Sequence, residues 1–230
     1  MGSELHKDHR KRMRAKAEQG GLSQWADHEL LELLLFYAIP RGDTNQTAHR
    51  LMSHFGSFAE ILNASEEELC SVAGIGMSSA ILIRNVAEIT RRYYLQSDHK
   101  DSGNWLTDLS QLGKFCADLF IGVSEERLYG IYLSHGGKLL GYDLISEGTL
   151  SEVKLYFGKM IKQALRYHAS VVVLTHNHPG GIARPSNEDV TTTNYLKTLL
   201  KMSDDILLAD HVIVAGQVYL SMKEGGYFSD

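Results

Sequence analysis

Val171-Val172-Val173-Leu174-Thr175 is an unbroken apolar and β-branched run that leads directly into His176-Asn177-His178-Pro179-Gly180-Gly181. β-Branched side chains lose rotamer freedom in a helix and pack well on a pleated surface. A run this short, closed by a Pro-Gly-Gly turn, therefore predicts a buried strand. A strand with no polar face needs cover from other elements, and the flanking segments supply candidates. Leu109 to Phe120 has helical periodicity, Arg127 to Leu133 and Lys138 to Ile145 alternate as two strands joined at Gly136-Gly137, and Val153 to His168 is helical again. A loop from Asn177 to Pro185, a helix from about Asn187 to Met202, and strands near His211 to Ala215 and Val218 to Met222 complete an α/β domain.

The chain before residue 96 follows a different period. Leu30, Leu31, Leu33, Leu34 and Phe36 recur at helical spacing behind Asp27, which reads as an N-cap. Pro40, Gly42 and Asp43 break the pattern, and helices are expected near Thr47 to His54 and Phe58 to Leu62. Ser65 followed by Glu68 fits a capping box for a short helix ending at Gly74-Ile75-Gly76, and a longer helix runs from Ser78 to Tyr94. Residues 96–104 are polar and aperiodic, as a linker would be. The expected organisation is a basic arm over 1–20, a helical domain over 21–95, the linker, and an α/β domain over 105–230.

With 230 residues and 43% hydrophobic composition, the chain can bury one large core or two modest ones. No stretch approaches the roughly 20 apolar residues that span a bilayer, and charged residues follow Met1 where a signal peptide would be apolar, so a cytoplasmic protein without membrane contact is expected. Cys70 and Cys116 lie far apart and have no C-x-x-C spacing, which argues against a disulfide framework or a thiolate metal site. The net charge of −5 argues against a globally basic nucleic-acid protein. Lys7, Arg10, Lys11, Arg12, Arg14 and Lys16 nevertheless concentrate positive charge, which reads either as a solvated helix or as an arm that meets phosphates.

Chemistry concentrates where the apolar strand ends. Residues i and i+2 of a strand point the same way, so His176 and His178 present two imidazoles on one face. Pro179 and the glycine pair turn the chain, and Asp189, in the first turn of the next helix, can return as an oxygen ligand. Two histidines and one carboxylate leave a fourth tetrahedral position for water, the arrangement of catalytic rather than structural zinc. The same residues have a plainer reading: half-buried polar histidines, and a Ser186/Asp189 capping box that needs no metal.

The run H-x-H-P-x-G followed by P-S-x-x-D, carried by His176, His178, Pro179, Gly181, Pro185, Ser186 and Asp189, resembles the JAMM (MPN-plus) metalloprotease motif. It is more closely similar to the RadC family of bacterial proteins, once called DNA repair proteins. That resemblance extends through Gly148-Thr149-Leu150 and Asp210-His211 and covers most of residues 20 to 228. It implies a JAB/MPN-type α/β domain with a mixed sheet flanked by helices, preceded by an all-α helix-hairpin-helix-like domain. It also implies a glutamate acting on the attacking water, best matched by Glu126 with Glu125 as the alternative, and a serine, Ser186, donating to the developing oxyanion. Gly180 stands where the family has serine, and Glu152-Val153-Lys154-Leu155-Tyr156-Phe157 replaces the family's H-P-R-E segment. His211 reads as a structural histidine, with a role orienting a metal ligand as the less favoured option.

Val72-Ala73-Gly74-Ile75-Gly76 before a helix matches the hairpin of helix-hairpin-helix units. There, backbone amides at Gly74 and Gly76 and the next helix's N-terminus approach a phosphate, here with Arg84 as the only nearby cation. Sequence-independent DNA binding is weighed against a packing role for this turn. The expected function is a zinc-dependent hydrolase, a metallopeptidase or isopeptidase acting on a peptide or protein substrate, with a link to DNA repair. The alternatives are a DNA-associated accessory protein without turnover, or a metal-dependent nuclease. A zinc nucleobase deaminase is disfavoured because the P-C-x-x-C motif is missing.

Overall fold

The computed structural model describes residues 2–97, 104–148, 153–204 and 206–227. The chain forms two compact units, residues 1–89 and 90–230. Gln96 and Ser97 of the expected linker close a helix, and residues 98–103 lie outside the described residues. No helix among the described residues is long and apolar enough to cross a membrane.

The first unit comprises α1 (Gly2–Gly20), α2 (Asp27–Ala38), α3 (Thr44–Phe55), α4 (Phe58–Asn63), α5 (Glu66–Ser71) and the first half of α6 (Met77–Ser97). Its core is Leu31, Leu35, Leu51, Ile61, Leu69 and Ile83, all fully buried. Helix starts follow side-chain oxygens that satisfy free amides. Asp43 accepts from Gln46 N at 3.1 Å, Ser57 from Glu60 N at 3.1 Å, and Ser65 exchanges bonds with Glu68 at 2.8 and 3.2 Å. The Asp43 cap starts α3 three residues before the expected Thr47. Asp27 is the first helical residue and not the cap: Ala26 holds that place, and its amide donates to Glu29 at 3.2 Å.

The basic arm is a packed helix. Met13 of α1 is buried, and Arg10 donates to Ile39 O (2.6 Å), Pro40 O (3.1 Å) and Gly42 O (3.2 Å), the carbonyls at and beyond the end of α2. The Arg10 guanidinium also lies 4.8 Å from the centre of the Phe36 ring. Lys16 pairs with Glu29 at 2.7 Å, and His9 meets the buried Glu32 at 2.8 Å. A helix end leaves carbonyls without partners and attracts cations, so the end of α2 takes up Arg10 of an arm that the sequence left open between a solvated helix and a phosphate contact.

The second unit contains α7 (Leu109–Leu119), β1 (Arg127–Leu133), β2 (Leu139–Glu147), α8 (Val153–Arg166), β3 (Val171–Asn177), α9 (Asn187–Asp204), β4 (Leu207–Ala215) and β5 (Val218–Ser221). The sheet is mixed, in the order β2-β1-β3-β4-β5. Only β3 and β4 run parallel, joined by the α9 crossover. Strand alternation divides the core. Ile131, Val171, Val173, Val212 and Val214 meet Leu112, Phe115 and Leu119 of α7 on one face. Leu128, Tyr132, Val172 and Leu174 meet Met160 and Ala164 of α8 and Leu196 and Leu200 of α9 on the other. The expected mixed sheet flanked by helices is the observed one.

Three strand ends differ from expectation by two residues or more, and β3 is one of them, running past Thr175 to Asn177. β4 begins four residues before His211, because the polar Asp210 is satisfied inside the sheet. Its carboxylate accepts from Ser221 Oγ at 2.5 Å, His211 N at 2.7 Å and Lys223 N at 3.1 Å. β2 continues to Glu147, whose carboxylate pairs with Arg127 at 3.0 Å.

Candidate metal centre

β3 carries the histidines to the edge of its layer. The even positions Val172 and Leu174 face α8 and α9, so His176 faces them too and is buried. The His178 amide donates to Val214 O at 2.7 Å, extending the pairing with β4 beyond the last strand residue and keeping His178 on the His176 side. Gly180 then adopts φ +65°, a left-handed conformation that glycine takes without the strain a serine would carry there.

Ser186 caps α9. Its Oγ accepts from Asp189 N at 3.1 Å, and its own amide donates to Asp189 Oδ2 at 2.7 Å. The capping box and the metal-ligand arrangement are therefore compatible. The cap holds Asp189 in place, and Asp189 heads the stripe Asp189, Thr193, Leu196, Leu200 that α9 buries against the sheet. His176 Nε2 lies 2.9 Å from His178 Nε2 and 3.4 Å from Asp189 Oδ1, and His178 Nε2 lies 3.6 Å from Asp189 Oδ2. Neither Glu125 nor Glu126 joins this three-residue cluster.

The proton positions follow from the partners. A carbonyl only accepts, so Thr193 Oγ donates to Asp189 O at 2.6 Å, and its oxygen must accept from His211 Nδ1, also at 2.6 Å. His211 is buried, and burial, then His176 and His178, hold its pKa well below the usual range, so the ring is neutral and Nε2 is an acceptor. His176 Nδ1 donates to it at 2.8 Å. Burial pushes the His176 pKa down to about 4 against the pull of Asp189, so at neutral pH its Nε2 carries a bare lone pair. His178 Nδ1 donates to Ile182 O at 3.1 Å, which turns its Nε2 toward His176 and Asp189.

His176 Nε2, His178 Nε2 and the Asp189 carboxylate thus converge on one another, an arrangement that can hold a cation. Tetrahedral zinc with bonds of about 2.0–2.1 Å separates its ligand atoms by roughly 3.3 Å. Each histidine lies 3.4 or 3.6 Å from its nearer carboxylate oxygen, and one ligand atom from each of the three residues lies within 4.8 Å of the others, so the residues present fit such an ion.

β1 brings the upstream glutamates near. Leu128 pairs with His176, and Arg127 N donates to Asn177 Oδ1 at 2.8 Å while Asn177 Nδ2 donates to Glu125 O at 2.9 Å. Glu126 immediately precedes β1, two residues before Leu128, the partner of His176, and its carbonyl accepts from Gly148 N at 2.8 Å. Glu126 is half-buried and Glu125 exposed. Thr149, Leu150 and Glu152 lie outside the described residues.

Sequence reasoning missed Thr193 and favoured a structural role for His211 over one orienting a ligand, and His211 bonds directly to His176. Thr193 sits one turn after Asp189 on the same helical face, a spacing that was available to find it. In the first unit, Gly74 has φ +99°, and a Cβ there would lie 2.7 Å from Thr47 Oγ1, so packing alone requires a glycine. A Cβ on Gly76 would meet nothing within 4 Å. Arg84 is half-buried on α6, and Arg50 reaches the turn, its Nη1 donating to Ala73 O at 3.0 Å.

Residues 106–227 match the RadC-like JAB domain family, and residues 5–81 match the UPF0758 N-terminal family. A UPF0758 protein of Ruegeria pomeroyi is 32% identical over 225 residues, covering 96% of this chain and 97% of the relative. One from Fusobacterium nucleatum is 31% identical over 234 residues, covering 98% and 99%. JAB-domain membership is compatible with hydrolase chemistry, and the buried His-His-Asp cluster is compatible with a metal site. The chain belongs to the RadC-like JAB domain family of UPF0758 proteins.

Proposed function

We propose that the second unit is a zinc-dependent hydrolase of the JAMM type, a metallopeptidase or isopeptidase. The observation that carries this reading is the convergence of His176 Nε2, His178 Nε2 and the Asp189 carboxylate, each side chain held by a further hydrogen bond to protein. His176, His178 and Asp189 would hold the ion. When bound, zinc supplies a Lewis acid that polarises a carbonyl and acidifies water. Glu126, the residue before β1, takes a proton from the attacking water and passes it to the leaving nitrogen as the C–N bond breaks. The Ser186 oxygen already accepts from Asp189 N, so its hydroxyl hydrogen is available to the developing oxyanion.

The test is metal analysis of chain purified without chelator, followed by assay on peptide and isopeptide libraries. Near-stoichiometric zinc that falls away in His176→Ala, with Glu126→Gln keeping the metal and losing hydrolysis, supports the reading. No bound metal, or a His176→Ala variant with unchanged metal, refutes it. Cleavage of DNA and not of peptides would assign the same site to a nuclease.

A second reading concerns the first unit. Packing accounts for Gly74 but not for Gly76, and Arg50 stands at the same turn, which supports sequence-independent phosphate contact there and a DNA-associated role linked to repair. Affinity for duplex DNA that falls as salt rises, and falls further in Arg50→Ala, is the expected result. No binding by the full chain at low salt refutes it.

A further inference from the structure

Three hydrogen bonds around the candidate centre link the backbone of Asp189 to the ring of His176, and one short contact brings that ring back to Asp189. Asp189 O accepts from Thr193 Oγ at 2.6 Å, Thr193 Oγ from His211 Nδ1 at 2.6 Å, and His211 Nε2 from His176 Nδ1 at 2.8 Å. His176 Nε2 returns to the Asp189 carboxylate at 3.4 Å. All four residues are at least 97% buried, so water does not compete for these bonds. These contacts join β3, β4 and α9.

We propose that Thr193 and His211 are positioning residues that set the tautomer of His176, keeping its proton on Nδ1 and its lone pair on Nε2, directed at the ion. The proposal rests on reading His176 as a metal ligand. Its direction is set at the far end: the carbonyl of Asp189 can only accept, so the Thr193 hydroxyl must present a lone pair to His211. That forces the His211 proton to Nδ1 and leaves its Nε2 as an acceptor. A weaker second acceptor, Met222 Sδ at 3.8 Å, does not compete with the carbonyl for the hydroxyl hydrogen. The backbone of one ligand therefore sets the protonation pattern of another through two intervening side chains.

Without the hydroxyl, His211 is free to move its proton to Nε2 and donate to His176 Nδ1. The His176 proton would then sit on Nε2, where the ion must bind. Thr193→Val has nearly the same volume and lies two hydrogen bonds from the metal-facing atom, so it isolates this effect from packing.

Two measurements test the idea on the full chain. Long-range ¹⁵N–¹H spectra of the imidazoles, taken metal-free, report which His176 nitrogen carries the proton. Competition with a chromophoric chelator gives zinc affinity. In the wild type and in Thr193→Ser the proton is expected on Nδ1 with equal zinc affinity. In Thr193→Val a population with the proton on Nε2 is expected, with zinc binding weakened about 10- to 100-fold. His211→Phe should weaken binding similarly, and if it does not fold, Thr193→Val still decides. A wild-type proton on Nε2, or unchanged zinc affinity in a folded Thr193→Val, overturns the proposal. A wild-type chain that keeps the proton on Nδ1 but binds no zinc refutes the metal reading and leaves the tautomer relay supported.

Discussion

The metal-free second unit should lose stability in mild acid, well above the pH at which carboxylates titrate. His176 and His211 are buried as neutral rings, and each has a folded-state pKa below the 6.5 of an unhindered histidine. Below pH 6.5 the unfolded chain takes up protons that the folded chain refuses, so stability is fully present above 6.5 and falls as the pH drops. For His176 the loss continues until its folded pKa of about 4. One pKa unit corresponds to about 1.4 kcal/mol, so this shift alone removes on the order of 3 kcal/mol, and His211 adds to it with the same sign. That is a large part of the total for a domain whose stability is roughly 5–15 kcal/mol. Trp105 is buried in the second unit's core, so in a Trp25→Phe background its fluorescence reports that unit by itself. Urea midpoints of chelator-treated protein should be nearly level between pH 7.5 and 6.5 and fall steadily at pH 5.5 and 4.5. Flat midpoints from pH 7.5 to 5.5 would refute the assignment of buried neutral histidines.

Further predictions concern packing, docking and capping. A Cβ on Gly113 would sit 2.1 Å from a Tyr219 ring carbon, so Gly113→Ala must displace that ring and should cost about 1–3 kcal/mol of second-unit stability by urea titration. Arg10→Ala removes three hydrogen bonds to the end of α2, and amide exchange in the C-terminal half of α1 should accelerate while α3 to α5 keep their protection. Ser186→Ala removes the α9 cap and should cost about 1 kcal/mol in thermal unfolding. If peptide turnover is found, the same variant should slow it by about 10²-fold or more, whereas equal turnover would leave Ser186 with the capping role alone.

Local patterns were readable wherever a residue's partner is close in sequence. Ser65 with Glu68 and Ser186 with Asp189 cap their helices through residues three apart, and backbone geometry alone brings them together. Helix and strand boundaries were harder where a polar residue is satisfied from a distance. The apolar pattern of β4 is interrupted by Asp210 and His211, and the strand is continuous only because Ser221, Lys223 and His176 supply partners. Arg10 follows the same logic: it reads as a free cation until the end of α2 takes it up.

By itself the sequence determined the fold class, the placement of His176 and His178 on one face, and the return of Asp189 through a capped helix, because period, turn chemistry and helix caps act over a few residues. The tertiary structure decided which histidine nitrogens carry protons. That choice passes from Asp189 to Thr193, to His211 on β4 and back to His176 on β3, and it exists only once parallel pairing sets His211 beside Leu174, two residues before His176. Strand register is a long-range packing outcome, so no spacing along the chain could announce it.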